Sequence, residues 1–146
     1  MFPDDAEVRA VAEAFFDPFE YLMARHRYGK LKTDFKTSLG RVAYQVPCHL
    51  RVQNLGLKTR DLLQLVPGTS VQAIERCSGH DGTYAVKKEF AETSRKIARP
   101  VARQVDGAQA DHFISDCPMA AEQIAAISES AEALGPLRLL RRAYGI

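Results

Sequence analysis

Three short β-prone runs, each followed by a stretch with helical spacing, set the pattern of the chain. They are Arg41-Val42-Ala43-Tyr44-Gln45-Val46, Ser70-Val71-Gln72-Ala73-Ile74-Glu75 and His112-Phe113-Ile114-Ser115-Asp116. Pro47 stops the first strand, and a helical pattern then carries Leu62, Leu63 and Leu65 up to the turn signal Pro67-Gly68. After the second strand a long helix is predicted from near Thr83 to Val105, with Val86, Phe90, Ile97, Val101 and Val105 on or near one face and a bend at Pro100. After the third, Pro118 suits the first position of a helix carrying Ile124, Ala125 and Ile127. Gly135-Pro136 breaks the chain, and Leu137, Leu139, Leu140 and Tyr144 mark a last helix that docks on the sheet.

Upstream, Asp4 or Asp5 can cap a helix through Val8, Val11, Ala12 and Phe15. Asp17-Pro18 restarts the chain as a second helix with Phe19, Leu22 and Met23, fading near Tyr28-Gly29. Residues 29–40 read as a linker, so the division expected is residues 1–40 as N-terminal helices and linker, and 41–146 as the main domain. Strand, loop and helix in that order, three times over, predict an α/β fold. It is a three-layer domain whose small, mostly parallel sheet is flanked by helices and joined by right-handed crossovers.

A length of 146 residues with 46% hydrophobic and 26% charged positions is enough for a real core without staples. The net charge of +2 argues against nucleic acid, and the basic side of the long helix (Lys87, Lys88, Arg95, Lys96, Arg99, Arg103) reads as a solvated face. No apolar run reaches the ~18–20 residues of a membrane span, and the start of the chain lacks the regions of a signal peptide. A cytoplasmic protein is expected. Three cysteines, an odd number, argue against a disulfide framework and leave metal binding, catalysis or plain burial.

Cys48, Cys77 and Cys117 each fall just past the carboxyl end of a predicted strand. In an open parallel sheet those ends share one edge, where ligands bind, so three thiols scattered in sequence are predicted to gather in space. The alternative is three buried cysteines acting as small apolar residues. His80, three residues beyond Cys77, is either a fourth ligand or a surface or supporting histidine. His49 is a weaker candidate because neighbours on an extended chain point apart, and His26 and His112 read as structural. Asp81 and Asp116 suit accepting a bond from an imidazole or capping the next helix. In Cys77-Ser78-Gly79-His80-Asp81-Gly82-Thr83-Tyr84 the glycines let the backbone approach a bound group, and a helix start there would favour negative charge. The residues alone leave open a metal or cluster site, and a thiol enzyme with Cys77 activated by His80.

At Pro47-Cys48-His49-Leu50, at the Cys77–Tyr84 stretch and at Asp116-Cys117-Pro118-Met119-Ala120 the sequence resembles the cysteine-rich CCG domain family, which includes the domains of that type in heterodisulfide reductase. It is closer to the C-terminal part of the iron–sulfur subunit of anaerobic glycerol-3-phosphate dehydrogenase. The resemblance covers about residues 41–146. The family pattern is a lone Cys, then Cys-Cys-Gly, then Cys-x-x-Cys; Ser78 and Ala120 stand where two of its cysteines would be. Carried over by position, the metal ligands are Cys48, Cys77 and Cys117, with His80 as a fourth, and Gly79 and Gly82 supply backbone donors to the bound group. The resemblance implies a [4Fe-4S] cluster, with zinc in a Cys3His site as the alternative. It implies an electron-transfer module of an iron–sulfur oxidoreductase rather than a complete enzyme. Its partners would be other subunits or an upstream iron–sulfur domain of a dehydrogenase or reductase complex, peripheral at the inner membrane through that complex.

Overall fold

In the computed structural model, which describes residues 4–80, 82 and 84–146, the three apolar runs are adjacent parallel strands. They are β1 (Arg41–Gln45), β2 (Ser70–Ile74) and β3 (His112–Ser115), and a two-residue β4 (Ala133–Leu134) extends the sheet in the order β2-β1-β3-β4. Every pairing is parallel, and Gln45 lies opposite Ile74 on one side and Ser115 on the other. The sequence pattern does not show β4, because two residues are too few for a period; its place comes from pairing with Phe113 and Ile114.

The connection from β1 steps one way along the sheet and the connection from β2 steps back past β1. Right-handed crossovers taken in opposite directions put their helices on opposite faces. Hence α3 (Cys48–Val52) and α4 (Lys58–Leu63) lie against one face, and α5 (Ala91–Gly107) and α6 (Pro118–Ala125) against the other. On the second face Ala43, Ile74 and Phe113 pack with Ala98, Val101, Ala102 and Val105 of α5 and with Ala121 and Ile124 of α6. Strand residues of the other parity, Val42, Tyr44 and Ile114, are buried, as are Leu62 and Leu63 of α4 and Leu139 of α7 (Pro136–Ala143). The expected three-layer α/β architecture is the one observed.

The helix expected from near Thr83 differs in its start. Thr83 itself lies outside the described residues, but Tyr84 to Lys87 are in turns and bends, and a 3₁₀ turn at Lys88–Phe90 precedes α5. Gly79 and Gly82 take positive φ values, +74° and +49°, which a right-handed helix excludes, and the Tyr84 ring stacks on Phe90 at 4.7 Å to close the loop. Among the described residues no helix therefore starts at the cysteine turn. The basic side chains of this region face solvent, as expected.

The chain divides into two compact units, the first ending at Lys32 and the second running from Thr33 to Ile146. In the first, Asp5 caps α1 (Ala6–Glu13) by accepting from the N–H groups of Glu7 and Val8, and Asp17 caps α2 (Pro18–Arg27) with Pro18 in its first turn. Among the described residues no helix is long and apolar enough to cross a membrane.

Candidate functional site

Parallel pairing carries all three cysteines to the carboxyl edge of the sheet. Cys48 opens α3 just past β1, Cys77 lies just past β2, and Cys117 is the N-cap residue before α6, just past β3. Between β1 and β3 the connections change direction, so the loops bearing Cys48 and Cys117 flank the crevice where open α/β sheets bind ligands. Cys48 and Cys77 are exposed, Cys117 is half-buried, and all three are free thiols. Cys48 and Cys77 are thus not the buried apolar residues of the alternative reading.

Local hydrogen bonds hold the three loops. The Gly79 N–H donates to Cys77 Sγ at 3.4 Å and so presents a positive dipole to the sulfur. The Cys117 N–H donates to Ser115 Oγ at 3.2 Å, and Ser115 Oγ–H donates to Gln45 Oε1 at 2.8 Å. Gln45 Nε2 donates to the carbonyls of Val46, at 2.9 Å, and Arg76, at 3.0 Å. Gln45 and Ser115 were missed in the sequence; the only signal was their polarity at strand positions that both faces of the sheet bury.

His80 Nε2 is closed off from solvent and has no hydrogen-bond partner among the described residues. The ring lines an open cavity with Pro118, Met119, Glu122 and Gln123 of α6, beside Cys117 in sequence. Gly79 is fixed more firmly: Ser94 Oγ–H donates to its carbonyl at 2.8 Å, Gln123 Nε2 donates to that Ser94 hydroxyl at 2.8 Å, and the glycine backbone lies directly on α5. A Cβ on Gly82 would meet no described atom within 4 Å, and its neighbours Asp81 and Thr83 lie outside the described residues. Ser78 and Ala120 are both buried, so this chain uses those two positions for packing. Among the described residues, no three His, Cys, Asp or Glu side chains stand close enough together to hold a metal ion.

The remaining histidines are elsewhere. His49 is exposed on α3, where successive side chains diverge by about 100°. His112 starts β3 at the opposite, amino edge, where burial, assisted by the charge of Arg142, pushes its pKa below the usual histidine value. His26 lies in the last turn of α2.

The N-cap of α6 is Cys117, not Asp116. Asp116 accepts from the Tyr44 hydroxyl and, at 2.9 Å, from Thr59 Oγ, tying β1, α4 and the Cys117 loop together. Tyr44 and Thr59 are 0% and 1% exposed. Replacing Asp116 by alanine removes the acceptor both hydroxyls reach and is expected to cost about 1–3 kcal/mol, read as a lower urea midpoint at unchanged slope. An unchanged midpoint would show that the carboxylate is dispensable to the fold.

Residues 42–125, more than half of the chain, match the family described as CCG, a cysteine-rich domain. Two curated relatives are subunits of anaerobic glycerol-3-phosphate dehydrogenase, one from Escherichia coli strain K12 and one from Escherichia coli O157:H7. Each is 36% identical over 104 residues, covering 70% of this chain and 26% of the relative. The match thus spans about a quarter of the length of those relatives. No solved structure matches the chain.

Proposed function

Because the chain belongs to the cysteine-rich CCG domain family, we propose that it is an iron–sulfur-binding electron-transfer module, working beside other subunits of a dehydrogenase complex of the glycerol-3-phosphate type. One observation carries the reading: three free thiols, two exposed and one half-buried, stand past the carboxyl ends of three neighbouring strands, and two of their loops flank the switch point of the sheet. Thiolate sulfur suits iron and zinc alike. The spread of the loops favours the larger group. Thiolates on one zinc, at Zn–S of about 2.3 Å, lie within about 4 Å of one another. Loops rising from β2, β1 and β3 start from strands about 5 Å apart and span about 10 Å in all.

Cys48, Cys77 and Cys117 would hold a [4Fe-4S] cluster, with His80 Nε2, buried and without a partner among the described residues, as the fourth donor. Bound there, a cluster supplies one-electron redox chemistry whose potential depends on hydrogen bonds to its sulfurs and on solvent exposure. The Gly79 N–H already directed at Cys77 Sγ is one such bond, and the Gly82 N–H would offer another. With Ser78 and Ala120 in place of two cysteines, the donor set suits a four-ligand group rather than one needing five thiolates. Residues 41–146 form the binding domain in this reading, with residues 1–40 as its leading helices and linker, and the module works on the cytoplasmic side, peripheral to the inner membrane through its partner subunits.

Anaerobic purification, followed by iron, sulfide and zinc analysis and an absorption spectrum, tests this. Iron and sulfide with a broad band in the visible blue are expected. One zinc per chain without colour would replace the redox reading by a structural Cys3His site, and a chain holding neither metal would overturn both.

A further inference from the structure

We propose that Gln45 is the positioning residue that sets the mutual placement of the three cysteine loops, an inference that rests on the metal-binding reading above. Gln45 ends the central strand β1, between Ile74 of β2 and Ser115 of β3, and is 1% exposed. A polar side chain so buried is costly unless its groups are bonded, and here each one is. A carboxamide offers two N–H donors and a carbonyl acceptor in one plane, and the three point into three different loops. One N–H meets the Val46 carbonyl, two residues before Cys48. The other meets the Arg76 carbonyl, adjacent to Cys77. The acceptor takes the Ser115 hydroxyl, whose oxygen receives the Cys117 N–H. One side chain therefore spans all three ligand-bearing segments without touching a thiol.

Methionine at this position keeps the length and burial and removes all three bonds. Ser115→Ala removes only the link to Cys117 and leaves the Gln45 bonds to Val46 and Arg76 in place. Two measurements follow on the full chain. In metal-free protein, amide hydrogen exchange is read by NMR. Gln45→Met should speed exchange at Cys117 several-fold, as should Ser115→Ala, while core amides of α5 and β3 stay protected. In protein loaded anaerobically with ferrous iron and sulfide, competition with a chelator gives iron affinity. Gln45→Met should weaken it about 10–100-fold, the range for losing a group that orients metal ligands, and Ser115→Ala should weaken it less. A residue that served only stability would lower the melting temperature and loosen all amides together, with iron affinity of the folded fraction unchanged. That result, or wild-type exchange at Cys117 in both variants, overturns the proposal. If wild-type protein takes up no iron, the metal-binding reading fails, and exchange in the metal-free chain still decides whether Gln45 places the loops.

Discussion

Gly79→Ala is expected to lower stability by about 2–6 kcal/mol, adding the cost of a left-handed conformation to that of overpacking. At φ +74° an L side chain is strained wherever it points. Here it also has no room: a Cβ would overlap the Ser94 carbonyl oxygen of α5 and sit 3.2 Å from the Cβ of Ala98. The atoms it meets are backbone and a methyl group inside a helix that itself carries the core residues Val101, Ala102 and Val105, so none can swing aside. Against a domain stability of about 5–15 kcal/mol such a loss can unfold the chain. Gly82→Ala is the internal control. Gly82 also has a positive φ, but nothing lies within 4 Å of where its Cβ would be, so only the conformational cost of about 1–2 kcal/mol is expected. Urea titrations of the two variants side by side give the difference, and equal midpoints would mean that the contact with α5 contributes nothing.

Two residues earlier the expectation reverses: Cys77→Ser should leave the fold intact and remove the metal. Cys77 is exposed, and the change keeps the size of its side chain, so the metal-free variant should lie within about 0.5 kcal/mol of wild type. A hydroxyl in place of the thiol offers a harder, far less acidic donor, poorly matched to iron in a sulfur environment. With only three cysteines in the chain, no neighbouring thiol can stand in, because the position beside it is Ser78. Iron bound after anaerobic reconstitution should therefore fall by more than the about 10–100-fold that follows loss of a group merely orienting a ligand. Full iron and unchanged colour in Cys77→Ser would remove Cys77 from the ligand set.

These two positions also show what could be read from the chain alone. The fold class follows from three β-prone runs that alternate with helical spacing: β1 and β3, buried on both faces, read as short apolar segments, and the edge strand β2 reads as an alternation of polar and apolar residues. The placement of three cysteines on one edge follows as well, since parallel strands put every carboxyl end on the same side. Caps such as Asp17-Pro18 are local chemistry and equally legible.

Other features depended on neighbours far along the chain. The spacing of Val86, Phe90 and Ile97 predicts a helix from near Thr83, but the left-handed φ values of Gly79 and Gly82 hold the chain in turns, and α5 begins only at Ala91. The exclusion of a side chain at Gly79 is set by Ser94 and Ala98, which no local pattern connects to it. Asp116 looked like a cap and is instead held by Tyr44 and Thr59. Gln45 gave only the anomaly of a polar residue in an apolar strand. By itself the sequence determined the edge of the sheet to which the three cysteines go, because periodicity and strand direction are local properties. Only the tertiary structure decided what holds them there, because hydrogen bonds spanning the sheet depend on which strands become neighbours.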